Sequence, residues 1–294
     1  MTTNIFEFME KIILCTDGST FSETNYQYGA WFAQQCHAPI EVLYLSERRH
    51  AQRKLKNLSG SIGFNASESL LKRIVQVEHD YAKLEQEKSK EILCHAQKVF
   101  ESKGLIENTY VHHEGDLVED LQQEEEQAGL IILGKCGGST GVNAEPHLGA
   151  HVERIMRSLH TPCLITCKQY QPIHQVLLAY DASSPCQKAF AKLIELPFMS
   201  NHPLHIVQVM KQEDLQTMSH LKELQARAKA ANIDTRIKLL TGHIEDTLQN
   251  YITKNDISLL VMGIHGNRPI RNLIMGHTAT HMLEETKIPV LLYR

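Results

Sequence analysis

The chain has 294 residues, enough for two ordinary domains with full hydrophobic cores. Its 42% hydrophobic and 22% charged residues fit a globular protein rather than a disordered one, and a formal net charge of -4 argues against a dedicated nucleic-acid binder, which carries a basic face. No apolar run reaches the roughly 18 to 20 residues that cross a bilayer, so no integral membrane segment is expected.

The start of the chain, MTTNIFEFMEK, has neither the basic opening nor the long apolar middle of a secretion signal. Short apolar runs bounded by turn residues then alternate with helix-period stretches, as in a parallel α/β sheet. The first run is KIILCT (11–16), followed by Asp17, Gly18 and Ser19; HQVLLAY (174–180) precedes Asp181, Ala182 and Ser183. A second pair, PIEVLYL (39–45) and PLHIVQV (203–209), keeps the same offset of 164 positions. Further along, NTYVHHEGD (108–116) matches DTRIKLLTGH (234–243), with Gly115 and Gly242 127 positions apart. LIILGKCG (130–137) then matches LLVMGIHG (259–266), and TPCLITCK (161–168) matches IPVLLYR (288–294). Order, spacing and type recur for all five runs, so the chain reads as two copies of one five-stranded domain.

The fall in offset from 164 to 127 assigns 37 extra residues to the first copy, between its second and third strands. They lie within about 47–103, where 70–100 reads as a long amphipathic helix through Leu70, Ile74, Val77, Tyr81, Leu84, Ile92 and Val99. This helix is either an extended second helix packed on the sheet or a lid over the first crevice. The predicted domains are 1–168 and 172–294, joined by a short linker. The last strand of each copy would be an exposed apolar edge in an isolated domain, and such edges tend to be paired. Acidic QQEEEQ (122–127) reads as a solvated helix face.

A parallel sheet of this kind places its ligand crevice outside the carboxyl ends of the strands, where strand order reverses. There the second copy carries Gly263, Gly266 and Gly276 in the pattern G-x2-G-x9-G, and a helix-like stretch starts at the last of them. Gly263 and Gly266 permit close backbone approach to a ligand, and Gly276 opens a helix whose free N–H groups favour an anion such as phosphate. Arg268 and Arg271 could add positive charge. Glycines after a strand often only make turns, but here the third glycine, its helix and Asp181 converge on the predicted crevice.

With these residues the whole chain resembles a tandem member of the universal stress protein family. The resemblance implies two tandem α/β domains of the adenine nucleotide α-hydrolase-like type, each an open five-stranded parallel sheet, paired through their edges as an intramolecular pseudo-dimer. It leaves further homodimerisation open. The family's ATP-binding pattern is G-x2-G-x9-G followed by Ser or Thr, and Gly263, Gly266 and Gly276 match its spacing. His277 stands where the hydroxyl residue is expected, and Thr278 is one position later. The resemblance further implies that Asp181 hydrogen-bonds the nucleoside and that Val209 and Met262 line the adenine pocket; the residues alone would read as core packing. The implied ligand is ATP or a related adenine nucleotide, with accompanying magnesium left open.

The first copy departs from the pattern. Gly134 and Gly137 supply its beginning, but eleven residues separate Gly137 from Gly149, with Glu145 and Pro146 among them and Ala150 and His151 after. This half reads as degenerate for ATP. No GxxxxGK[ST] loop and no GxSxG elbow occurs in the sequence, so efficient ATP turnover is not expected. His147 with His151, and His277 with His281, have the i,i+4 spacing that can present two metal ligands, and Cys136 could join the first pair around zinc. His112 and His113 point to opposite faces of a strand, and Cys163 and Cys167 are better explained by core packing. Seven scattered cysteines suit reduced thiols in the cytoplasm. The expected function is a nucleotide-responsive stress protein with at most slow hydrolysis. The competing readings are an ATP-using hydrolase or transferase, and a module binding a metal or small metabolite in its first half.

Overall fold

The computed structural model describes residues 11–46, 64–136, 148–210, 215–264 and 276–294. In the first half the strands are β1 (Ile12–Thr16), β2 (Ile40–Ser46), β3 (Thr109–Glu114), β4 (Leu130–Gly134) and β5 (Cys163–Thr166). Its helices are α1 (Thr20–Cys36), α2 (Phe64–Ser102), α3 (Leu117–Glu124) and α4 (Ala150–Ser158). The second half repeats the order with β6 (Val176–Ala179), α5 (Ser184–Leu193), β7 (Leu204–Met210), α6 (Leu215–Ala230), β8 (Thr235–Thr241), α7 (Ile244–Lys254), β9 (Leu259–Gly263), α8 (His277–Glu285) and β10 (Val290–Tyr293). Every apolar run picked out by the repeat is a strand.

The ten strands form one sheet in the order β3-β2-β1-β4-β5-β10-β9-β6-β7-β8. All neighbours are parallel except β5 and β10, which run antiparallel with Leu164 opposite Leu291. The predicted edge strands therefore pair with each other within one chain, and the two halves are related about this seam. Strands β1, β4, β6 and β9 are buried on both faces, so they read as continuous apolar runs rather than alternating ones.

Two hydrophobic clusters, one on each face of the sheet, run across both halves; Leu14 and Leu291 share one, Ile13 and Leu292 the other. On the first face α1 of the first half packs on the second. Trp31 meets Phe198 edge to face at 4.8 Å, in the 3-10 turn Pro197–Asn201, and Tyr28 Oη donates to the Gln171 carbonyl at 3.1 Å. Such aromatic pairs add about 0.5 to 1.5 kcal/mol beyond their buried area.

Within 47–103 the first half carries the 39-residue helix α2, where the second half has the 16-residue α6. The C-terminal part of α2 packs through the buried Ser89, Ala96 and Phe100. The apolar stripe expected from the sequence divides: Ile74, Tyr81, Ile92 and Val99 are half-buried, whereas Val77 and Leu84 are exposed at 67% and 63%. The body-facing row follows the 3.6-residue period through Tyr81, Glu85, Ser89, Ile92 and Ala96, which turns Val77 and Leu84 outward. The side chain of Leu70 lies outside the described residues. Acidic 122–127 is mostly exposed; within it Glu124 binds Lys11 at 2.9 Å and Glu125 accepts the His160 N–H at 2.8 Å.

Candidate functional site

Strand order reverses between β6 and β9, the neighbours at the centre of the second half. A crevice of about 580 Å³ opens at their carboxyl ends, within the usual range of small-molecule pockets. Its apolar wall includes Val207, Val209, Leu248 and Met262; Asp181, Gly263, Gly276, His277 and Thr278 also line it. Seven of the nine residues assigned to the site from sequence are therefore brought together. Gly266 and Arg268 lie outside the described residues, as does Arg271.

Asp181 lies two positions past the end of β6, and its Oδ1 accepts the Ser183 N–H at 2.9 Å, fixing the turn into α5. Ser183 caps that helix by accepting the Cys186 N–H. Ala182 holds this turn at φ 62°, in the left-handed region that glycine occupies more readily. The matching residue of the first half, 164 positions earlier, is Gly18 at φ 74°. Cys186, on the crevice wall, is buried, and burial pushes its thiol up to about 12, which leaves no thiolate nucleophile at neutral pH.

Gly276 is the N-cap of α8 without a side chain to cap it, so the first N–H groups of that helix have no side-chain acceptor from the cap residue. His277 is exposed at 85%, with Nδ1 3.5 Å from Glu245 Oε1. The Thr278 hydroxyl donates to that oxygen at 2.7 Å. Glu245, in the first turn of α7, is 7% exposed and also faces His243 Nδ1 at 3.0 Å through Oε2. Burial pushes its carboxyl up, but the Thr278 hydroxyl, its own backbone N–H, His277 and His243 together hold it below the ordinary carboxylate range. Sequence reasoning passed over Glu245. The signal that could have found it is the internal repeat, since the position 127 earlier is the buried Val118.

The first half is built differently at the same level. Tyr44 Oη at the end of β2 donates to Glu85 of α2 at 2.9 Å, and the Lys88 ammonium lies 5.6 Å from the Tyr44 ring centroid. His95 of α2 pairs with Glu23 of α1. A Cβ at Gly18 would lie 2.7 Å from the Ile92 side chain, so α2 presses on the turn after β1. Lys135, following the glycine that ends β4, is 8% exposed and donates to the Glu284 carbonyl in the last turn of α8. Its ammonium thus serves the seam between the halves. His147, Glu145, Pro146 and Gly137 lie outside the described residues. Among the described residues, no group of three His, Cys, Asp or Glu side chains is placed to hold a metal ion. The second histidine pair, His277 and His281, stacks with ring centroids 6.2 Å apart.

Taken together, the continuous sheet, its central seam and the crevice beside Gly263 and Gly276 define a tandem doubly wound α/β protein whose halves have diverged at the strand ends. The sequence pattern of the Universal stress protein family matches residues 9–166 and again 172–294. Universal stress protein Slr1230 of Synechocystis sp. is 42% identical over 289 residues, covering 97% of this chain and all of that protein. The chain belongs to the universal stress protein family. Its fold is shared with a universal stress protein from Archaeoglobus fulgidus (TM-score 0.72, 19% identity, 99% of this chain and 98% of that one). A putative universal stress protein from Pseudomonas aeruginosa superposes with a TM-score of 0.61 at 15% identity, over 99% of this chain and 95% of that one. Among the described residues, no helix is long and apolar enough to cross a membrane.

Proposed function

We propose that this stress protein binds ATP or a closely related adenine nucleotide in its second half, residues 172–294, and that the first half, residues 1–168, does not. The observation that carries the reading is the convergence of Asp181, Val209, Met262, Gly263 and Gly276 on one crevice. Apolar Val209 and Met262 suit a base, the Asp181 carboxylate suits ribose hydroxyls, and the start of α8 suits a phosphate. In the first half α2 presses on the equivalent turn and Lys135 is committed to the seam, which supports a structural role there. A cytoplasmic location fits the seven cysteines, all of them free thiols.

Calorimetric titration of the purified chain with ATP tests the site. Saturable binding with one nucleotide per chain is expected, and Gly266→Asp should abolish it; a variant that binds as tightly as the parent overturns the assignment. The protein acts as a binder with at most slow hydrolysis. Phosphate release faster than about one turnover per second, an ordinary enzyme rate, would replace this reading with that of an ATP-using enzyme.

A further inference from the structure

We infer that Glu245 is a specificity-determining residue that biases the second-half crevice against the highly charged triphosphate and toward adenine ligands of low charge, such as the nucleoside or its monophosphate. The inference rests on the proposed nucleotide reading of that crevice.

Three observations carry it. First, the carboxylate lies one side chain behind the crevice wall, against the first residues of α8, where a phosphate would be received. Its Oε1 holds the Thr278 hydroxyl at 2.7 Å and lies 3.5 Å from His277 Nδ1, both from residues that line the crevice beside Gly276. Second, the hydroxyl nearest the start of α8 is committed to Glu245, and the imidazoles of His277 and His243 are turned to the same carboxylate. Among the described residues, the polar side chains at the start of α8 that could receive a phosphate already serve an internal anion. Third, the fold does not need a carboxylate here. The matching position in the first half is Val118, equally buried at 7% exposure in the first turn of α3. An ionised side chain at a buried position needs partners that a valine does not, and two of the partners of Glu245, His277 and Thr278, line the crevice.

A fixed negative charge in a partly desolvated pocket repels each further negative charge brought beside it. The helix terminus and its amides still favour one phosphate, but a chain of three meets Glu245 at closer quarters and with more charge. Adenosine carries none and is indifferent to it.

Calorimetry with adenosine, AMP and ATP on the wild-type chain, Glu245→Gln and Glu245→Val tests the inference. Gln keeps an acceptor for Thr278 without the charge, and Val reproduces the first-half packing should Gln disturb the fold. Both variants are expected to strengthen ATP binding about five- to tenfold and to leave adenosine within about twofold, with AMP between. If adenosine binds but ATP affinity is unchanged, or both shift together, the role of Glu245 is overturned while the crevice reading stands. If neither binds to any of the three proteins, the crevice reading fails and this inference with it.

Discussion

The ammonium of Lys135, at the end of β4, reaches across the seam and donates to the carbonyl of Glu284 in the last turn of α8. The complementary contact runs the other way: Arg294 Nη1 donates to the Arg157 carbonyl at 2.8 Å, at the end of α4. Each half thus supplies a cation to the C-terminal end of a helix in the other, where unpaired carbonyls and the helix dipole both favour positive charge. Lys135 is the more buried of the two, and burial lowers its pKa from 10.5.

Lys135→Met is therefore expected to lower the stability of the folded chain by about 1 to 2 kcal/mol, since it leaves α8 carbonyls without their buried donor while preserving side-chain volume. Denaturant titration followed by circular dichroism checks this. A midpoint equal to the wild type's would mean that the last turn of α8 is satisfied without the lysine.

Ala182 is a residue with a Cβ held at φ 62°, at a position where the first half uses glycine. Ala182→Gly should raise stability by about 0.5 to 1 kcal/mol, the relief of left-handed strain outweighing the added freedom of the unfolded chain. An urea-unfolding midpoint below that of the wild type would contradict this.

Gly276→Asp separates folding from binding. The N-cap lies at φ −59° and ψ 140°, which any residue adopts, and aspartate is among the best N-caps. The variant is expected to melt at or above the wild-type temperature, with a gain of about 0.5 to 1 kcal/mol, yet to lose ATP binding because its carboxylate takes the anion's place at the helix start. Thermal melts paired with calorimetry read both effects, and retained ATP affinity would remove the start of α8 from the site.

Glu245 also predicts a pH dependence. Its folded-state pKa lies below the ordinary 4.5, so its ionised form contributes stability that is complete above that value and is lost as pH falls through the lower folded value. Wild type and Glu245→Gln should accordingly converge in relative stability as pH drops below about 4.5, with the wild type showing the steeper acid loss. Parallel acid limbs would show that the carboxylate is not preferentially ionised in the folded chain.

Much of this architecture is legible in the residues because strand and helix signals are local. KIILCT and LLVMG are continuous apolar runs, and central strands buried on both faces demand that pattern. The glycine spacing pointed to Gly263 and Gly276 as neighbours of one crevice, and both line it. Long-range commitments were harder to see. Lys135 reads as part of a glycine loop, and nothing local says that its side chain crosses the seam. Glu245 reads as an ordinary first-turn acid on a helix, where such residues are common on dipole grounds. Its burial arises only when α7 meets α8. Val77 and Leu84 misled for the converse reason: their apolar character suggested a buried stripe, but the row that meets the body runs through Tyr81, Glu85, Ser89, Ile92 and Ala96 and leaves them on another face of the helix.

The antiparallel pairing of β5 with β10 has a further bearing on how the two halves can change. When two separate identical subunits meet at such an edge, every substitution appears on both sides at once, and the pairing weakens on dilution. Here the partners are tethered, so their association is independent of protein concentration. Each side can also accumulate its own mutations. One half could carry a 39-residue helix where its counterpart has 16 residues, and a cross-seam lysine, while the other kept its glycines, and neither change was imposed on its counterpart.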